Sequence, residues 1–276
     1  MKKNNRIGAL VDEFTSNPCK LYDSKHFCDK FGIAKSSLSE DIKLVNEVFI
    51  DNGTGYIEST SGVGGGIRYV PGISDDNIKR IQDALCTKIN DPSRILGGGF
   101  LYTSDIMFDG KLVDGMARVF AQKYYSFGAD YVVTVETKGI PLAARTASLL
   151  NLPLVVIRRE AMYSEGSTVS INYFSGSSDR IQKMSIAKRA VEPGSKALII
   201  DDFMRGGGSI KGIVEILAEF DMDVIGVGIA IVASEPVKKR VSNYLSIVCV
   251  DEIDEEGRRI SVRANDQLTS GTNLEI

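Results

Sequence analysis

The chain carries a single histidine, His26, in 276 residues. That excludes a Ser-His nucleophilic triad and any histidine-rich metal centre; beside Phe27, this histidine reads as packing or surface. Cysteine is sparse and scattered. Cys19, Cys28, Cys86 and Cys249 show no metal-ligand spacing, which predicts reduced thiols in a cytoplasmic protein. Long hydrophobic runs are missing too: the best, Val224 to Ala233, falls far short of the roughly 20 residues that a membrane span needs. Lys2 and Lys3 could open a signal peptide, but Asp12 and Glu13 interrupt its apolar core, so no membrane partner is expected. Nor is one charge in excess. Thirty-three Lys and Arg against 36 Asp and Glu leave −3, with no overall basic signature for nucleic acid. What remains, 43% hydrophobic and 25% charged residues, suits one large or two ordinary soluble globular domains.

The most informative stretch runs Ala197-Leu-Ile-Ile-Asp-Asp-Phe-Met-Arg-Gly-Gly-Gly-Ser-Ile-Lys-Gly212. Its four leading apolar residues predict a buried parallel strand. Asp201 and Asp202 stand at the carboxyl end of that strand, where open α/β sheets bind ligands. Phe203, Met204, Arg205, Gly206, Gly207 and Gly208 then lead to Ser209 and an apolar helical pattern. A glycine-rich turn feeding a helix N-terminus offers N–H groups and a positive dipole end to an anion. The two carboxylates would repel a phosphate but accept hydrogen bonds from a sugar diol, so together the features point to a ribose 5-phosphate. A nucleoside-triphosphate P-loop is excluded, because Lys211 follows Ser209 instead of preceding it. The bland alternative is a strand–turn–helix with a solvated acidic tip.

This run resembles the phosphoribosyl-pyrophosphate (PRPP) motif of type I phosphoribosyltransferases. The resemblance implies that Asp201 and Asp202 hold the ribose 2′- and 3′-hydroxyls and that the loop Phe203–Ser209 holds the 5′-phosphate. The sequence departs from the enzymes at Arg205 and Gly206, where they usually carry a small residue and Thr. That removes a hydroxyl contact to the phosphate and adds a bulky cation, which weakens turnover and retains or strengthens binding. A second strand, from Val132, ends in Glu136, Thr137, Lys138 and Gly139, about 65 residues before the acid pair. These four resemble the pyrophosphate loop of the same family, in which backbone N–H groups and a basic residue meet the diphosphate and a non-proline cis peptide is common. Between the motifs, Arg158 and Arg159 and the polar segment 163–178 occupy the place of that family's mobile loop, with Arg180 and Lys183 as further cations to offset phosphate charge. Residues 97–105 resemble its hood. There Tyr102, with Phe203, is positioned to clamp a flat base by stacking.

The first 73 residues read differently. Ile7, Leu10, Val11 and Phe14 form one helical stripe, Phe27 and Phe31 a short second helix ended by Gly32, and Leu38, Ile42, Val45 and Phe49 a third. Ser37 and Glu40 fit a capping box at the start of the third. Two alternating strands follow, around a glycine-rich tip at 62–66. Helix, helix–turn–helix, then hairpin is the order of a winged helix-turn-helix, whose recognition helix presents its outer face to the major groove. That face carries Lys35, Ser36, Ser39, Lys43 and Asn46, suited to phosphate and base-edge contacts, and Arg68 on the wing is a further candidate. Nine Lys and Arg against nine Asp and Glu leave this region neutral, so its cations must gather on one face or act through an oligomer. The alternative is a small protein–protein domain.

The expected fold is therefore α/β: a winged helix-turn-helix over residues 1–73 and a phosphoribosyltransferase-like parallel-sheet domain over 74–276. The combination resembles the bacterial purine-operon repressors built on a phosphoribosyltransferase fold. That resemblance implies a cytoplasmic homodimer bound to operator DNA upstream of purine genes, and PRPP, with or without Mg²⁺, as an inducer that weakens DNA binding. It assigns no catalytic residue, obligatory cofactor or protein metal site. A catalytically active purine (xanthine-like) phosphoribosyltransferase is the other reading, and an RNA-binding attenuator a third. The acid pair and two anion loops would also accept guanosine tetraphosphate as a competing ligand.

Overall fold

The computed structural model describes residues 1–62, 64–160, 166–175 and 180–269. Three helices open the chain: α1 (Lys3–Ser16), α2 (Ser24–Phe31) and α3 (Lys35–Asp51). Each is amphipathic at helical spacing, and Leu10, Phe14, Phe27, Phe31, Leu38, Val45 and Phe49 meet in one core. The hairpin β1 (Gly55–Thr60) and β2 (Gly66–Pro71) closes that core with Ile67 and Tyr69. Its register runs from Gly55↔Pro71 to Thr60↔Gly66, and Tyr22 adds a bridge to Ile67. The capping box does not form. The turn at Gly32 leaves only Ile33 and Ala34 before α3, so the helix starts with Ala34 in the cap position and Ser37 already inside the first turn, without a side-chain cap.

Ser74 caps the next helix, α4 (Asp75–Ile89), by accepting a hydrogen bond from the Asn77 N–H. Then come the short pair β3 (Ile95–Gly97) and β4 (Phe100–Leu101), the single turn α5 (Ser104–Met107) and α6 (Gly110–Tyr124). From there strands and helices alternate: β5 (Tyr131–Val135), α7 (Ile140–Leu150), β6 (Leu154–Ile157), β7 (Thr168–Ser175), β8 (Arg180–Ala187), β9 (Lys196–Met204), α8 (Gly208–Ala218), β10 (Asp223–Ala233), β11 (Leu245–Asp254) and β12 (Arg259–Ala264). The main sheet has six strands in the order β12-β11-β10-β9-β5-β6, all parallel except the edge strand β12. Alternation along its strands sorts the core into two layers. Val132, Leu198 and Ile200 face α6 and α7, whereas Val133, Ala197 and Ile199 face α8.

Two strands of this run lie outside the main sheet. β7 and β8 pair with each other, antiparallel, from Thr168↔Ala187 to Ser175↔Arg180, and a bridge between Arg158 and Ser185 links them to the continuation of β6. Their alternation explains this: one face, including Tyr173, Met184 and Ile186, is buried against α8, while Phe174 and Ile181 point outward. A central parallel strand would need both faces apolar. Of the segment assigned to a mobile loop, residues 163–165 and 176–178 lie outside the described residues, and 168–175 is this regular strand.

Side chains join the two parts of the molecule. Cys19 Sγ donates to the carbonyl of Leu149, near the end of α7, at 3.3 Å, and the Ile73 N–H donates to Gln122 Oε1 at 2.6 Å. Burial pushes the Cys19 thiol up to about 12.

Candidate functional site

The sheet reverses its winding between β5 and β9. β5 leads outward to β6 on one side, and β9 leads to β10 on the other. β5 and β9 pair only as far as Val133↔Ile199 and then part, leaving a crevice at the strands' carboxyl ends. Such a switch point is where open α/β sheets hold ligands. β9 runs further than its apolar stretch suggests, through Met204, with Asp201 in register with Ile229 of β10. The acid pair is thus carried on a central strand, held on its outer side by β10.

Asp201 is almost completely buried, at 4% exposure, and Asp202 is half-buried. The Asp202 N–H donates to Asp201 Oδ1 at 3.0 Å. Burial, then the charge of Asp202, holds the Asp201 carboxyl well above the ordinary carboxylate range; burial also raises Asp202. Gly139 closes in from the opposite loop. A Cβ there would lie 2.5 Å from Asp201 Oδ1 and 2.8 Å from Thr134 Oγ1, so only glycine lets the loop approach the pair this closely. The Glu136–Thr137 peptide is cis, as the resemblance implies. Glu136 is pinned by the Arg159 N–H at 2.6 Å and lies 3.5 Å from Arg158 Nη1.

On the other side, Gly207 takes φ +78° and α8 begins at Gly208 with no side-chain cap. Its first N–H groups therefore have no side-chain acceptor and face the crevice beside Ser209, an arrangement that favours an anion. The loop is braced from behind, where the Arg240 N–H donates to the carbonyl of Gly206 at 2.9 Å. The cavity so formed measures about 280 Å³.

Most of the residues singled out in sequence meet here. Glu136, Thr137, Lys138 and Arg159 line the cavity, as does the whole run Asp201–Ser209. Phe203 forms part of the wall while packing on the core, and Met204, though it reaches the cavity, is 2% exposed and serves mainly as core. Two assignments need correction. Tyr102 lies outside the cavity and is largely exposed; the β3–β4 turn instead brings Phe100 and Leu101 to the wall, because Tyr102 is tied by its N–H to the Arg94 carbonyl. Arg158 does not line it, since its backbone bridges to Ser185 in both directions and its guanidinium turns toward Glu136. Arg205 lines it, but its guanidinium reaches across to the carbonyl of Gly98. Of Arg180 only the backbone is described.

In the first domain, Lys35, Ser36, Ser39 and Lys43 are exposed along α3 and make no hydrogen bond or ion pair with a described side chain. Lys35 and Ser39 line a cleft of about 300 Å³ whose other wall is the wing, including Thr60 and Ser61, residues not singled out in sequence. Asn46 departs from the set: its Oδ1 accepts the Ile57 N–H at 2.7 Å, joining α3 to β1. Arg68 departs as well. Its Nε donates to Glu58 Oε2 at 2.5 Å, and its guanidinium lies over the Tyr125 ring, whose hydroxyl donates to the same Glu58 oxygen. This cation faces the domain junction, because Glu58 opposite it in the hairpin register draws it there.

Residues 2–71 match the family model described as the N-terminal domain of the bacterial purine repressor, and residues 105–266 match that of the phosphoribosyl transferase domain. Among the similar proteins, a purine biosynthesis transcriptional repressor of Bacillus subtilis is 37% identical, over 95% of this chain and 92% of its own. A purine biosynthesis transcriptional activator of Lactococcus lactis is 34% identical, over 95% and 97%. Of solved structures, adenine phosphoribosyltransferase from Saccharomyces cerevisiae aligns over 61% of this chain and 98% of its own, with a TM-score of 0.53 at 17% identity, a likeness of fold.

Proposed function

The chain belongs to the family of bacterial purine biosynthesis transcriptional regulators, and from that starting point we propose that it represses purine synthesis genes and is released from operator DNA by PRPP. The observation that carries this reading is the buried acid pair set between two anion-accepting loops at the sheet's switch point. Asp201 and Asp202 would accept the ribose hydroxyls, the N–H groups from Gly207 to Ser209 the 5′-phosphate, and the Thr137–Gly139 loop with Lys138 the diphosphate. A Mg²⁺ arriving with PRPP would be held chiefly by phosphate oxygens and water. Among the described residues, no group of three or more His, Cys, Asp or Glu side chains could hold such an ion alone. Guanosine tetraphosphate offers the same ribose and anions, and would compete.

The exposed face Lys35, Ser36, Ser39 and Lys43 would enter the major groove, with the wing beside it. Paired half-sites require paired recognition helices, so the working form is a cytoplasmic homodimer. PRPP lowers DNA affinity only if it binds the DNA-incompetent state more tightly, and DNA then lowers PRPP affinity by the same factor. The phosphoribosyltransferase fold serves here as a sensor.

Binding to DNA upstream of purine genes, with and without millimolar PRPP, tests this for wild type and for Asp201→Ala/Asp202→Ala. Release by PRPP in wild type alone is the expected result. Absence of specific DNA binding under every condition would discard it. Pyrophosphate release from PRPP with adenine, guanine, hypoxanthine or xanthine would contradict the sensor role and return the enzyme reading.

A further inference from the structure

A second cavity, of about 500 Å³, adjoins the crevice and is bounded by Ala233, Glu235, Val250, Glu252 and Glu255. Gly99 and Arg205 line both spaces. The wall between them is therefore one glycine turn and one side chain. Arg205 Nη1 donates to the Gly98 carbonyl at 3.1 Å. Its guanidinium lies so close to Gly99 that a Cβ there would stand 2.9–3.0 Å from three of its atoms. From the far side, Glu255 Oε1 accepts the Gly99 N–H at 2.5 Å. The turn itself, Gly97–Gly99, has φ of +85°, +64° and +72°, a conformation with little intrinsic preference for staying put. Two polar clips, one from each cavity, hold it closed.

PRPP and a nucleoside 5′-monophosphate share the ribose and its 5′-phosphate, and differ at C1. One carries a diphosphate there, the other a flat heterocycle on the opposite face of the sugar. The Glu136–Gly139 loop receives the diphosphate side. The heterocycle side is left with the wall formed by Phe100, Phe203 and Arg205, behind which lies the second cavity. We propose that Arg205, clipped to Gly98, is a specificity gate: closed, it accepts a ribose 5-phosphate bearing a diphosphate and turns away a purine nucleoside 5′-monophosphate, whose base needs the second cavity. The gate rests on the reading of the crevice as a PRPP site. A base-bearing ligand, guanosine tetraphosphate included, binds only by opening the clip, so it meets a penalty that PRPP does not and competes to that extent less well.

Calorimetric titration of the full-length protein with PRPP and with inosine 5′-monophosphate tests the gate, using wild type, Arg205→Ala and Arg205→Lys. Lysine keeps the positive charge but not the planar fork that spans to Gly98. The readout is the ratio of the two affinities, because removing a cation beside the 5′-phosphate would weaken both ligands together. Both variants are expected to shift that ratio toward the mononucleotide by about tenfold, the scale of one hydrogen bond. An unchanged ratio in both, with PRPP still bound by wild type, overturns the gate and leaves the PRPP reading standing. A shift in Arg205→Ala but not in Arg205→Lys also overturns it, in favour of a charge effect. Failure of wild type to bind PRPP overturns the underlying reading and the gate with it.

Discussion

Replacing Asp201 by Asn is expected to make the unliganded protein more stable and nearly insensitive to PRPP. The side chain is buried at the end of a central strand, its fixed partner is one backbone N–H at 3.0 Å, and its nearest charge is another carboxylate. Burial first, and the charge of Asp202 next, raise its pKa well above the ordinary range. A carboxyl that holds its proton more tightly folded than unfolded favours the folded state at low pH, and that contribution is lost as pH rises through the folded pKa. At neutral pH the fold thus bears the cost of the raised pKa, which an amide of the same shape removes while keeping Oδ1 as an acceptor. Exchanging even a buried ion pair for neutral side chains of similar volume is neutral to stabilising by about 1–4 kcal/mol, and this like-charged pair has no mutual attraction to lose. A carboxylate already relieved by one N–H belongs in the lower half, about 1–2 kcal/mol, or roughly 2–8 °C in Tm for a domain of this size. On the ligand side, losing a charge-assisted hydrogen bond of about 1.5–3 kcal/mol weakens PRPP about 10- to 150-fold. Differential scanning calorimetry at neutral pH and again near pH 5 checks the first part, and titration with PRPP the second. The gain in Tm should shrink on acidification, because the wild type's cost from a raised carboxyl pKa falls as pH falls. A variant less stable than wild type at neutral pH, or a gap that widens in acid, would refute the reasoning.

Lys35→Ala and Lys43→Ala should each flatten the dependence of log K on log salt by about 0.9 for every phosphate left without its cation, whereas Arg68→Ala, whose cation is held at the domain junction, should leave the slope unchanged; a flatter slope for Arg68→Ala would restore it to the DNA face. Asn46→Ala is expected to lower stability by about 1–2 kcal/mol through the orphaned Ile57 N–H, with an unaltered salt slope, so a loss of DNA affinity without a fall in Tm would contradict its placement. Cys19, with its thiol pushed up to about 12 by burial, should resist alkylation by iodoacetamide at pH 8 in the folded protein and react once the chain is unfolded; modification at the rate of an exposed thiol in the native state would show that the junction opens.

The parts of the site that are legible in sequence are those whose chemistry is local. Asp201, Asp202 and the glycines after them are contiguous, and a strand–turn–helix carries them to one place whatever surrounds it. The same holds for Glu136–Gly139. Legibility ends where a side chain's partner comes from another element. Asn46 and Arg68 look like nucleic-acid contacts on a helical wheel and a wing. β1 supplies the donor that claims the first, and Glu58 with Tyr125 the partners that hold the second. Tyr102 and Phe100 are interchangeable by pattern, and only the bulged β3–β4 pairing decides which reaches the cavity. Helix α6 is hard to see in sequence because nearly every apolar position along it is buried, including Val113, Met116, Ala117 and Phe120, so its periodicity is blurred. Arg205 looks like a phosphate ligand because its neighbours in sequence do; the glycine turn that receives it lies over 100 residues away.

Helix α7 starts immediately after Gly139 and ends where Cys19 meets the Leu149 carbonyl. Eleven residues at 1.5 Å each make a stiff rod of about 16 Å, running from the crevice to the contact with the first domain. A rod conveys displacement and is indifferent to how firmly its end is gripped. Occupancy and message are consequently separable: a compound that fills the ribose and phosphate seats without moving the Glu136–Gly139 loop would sit in the crevice silently and keep the messenger out. Ribose 5-phosphate, which has no diphosphate to push with, is the simplest such decoy.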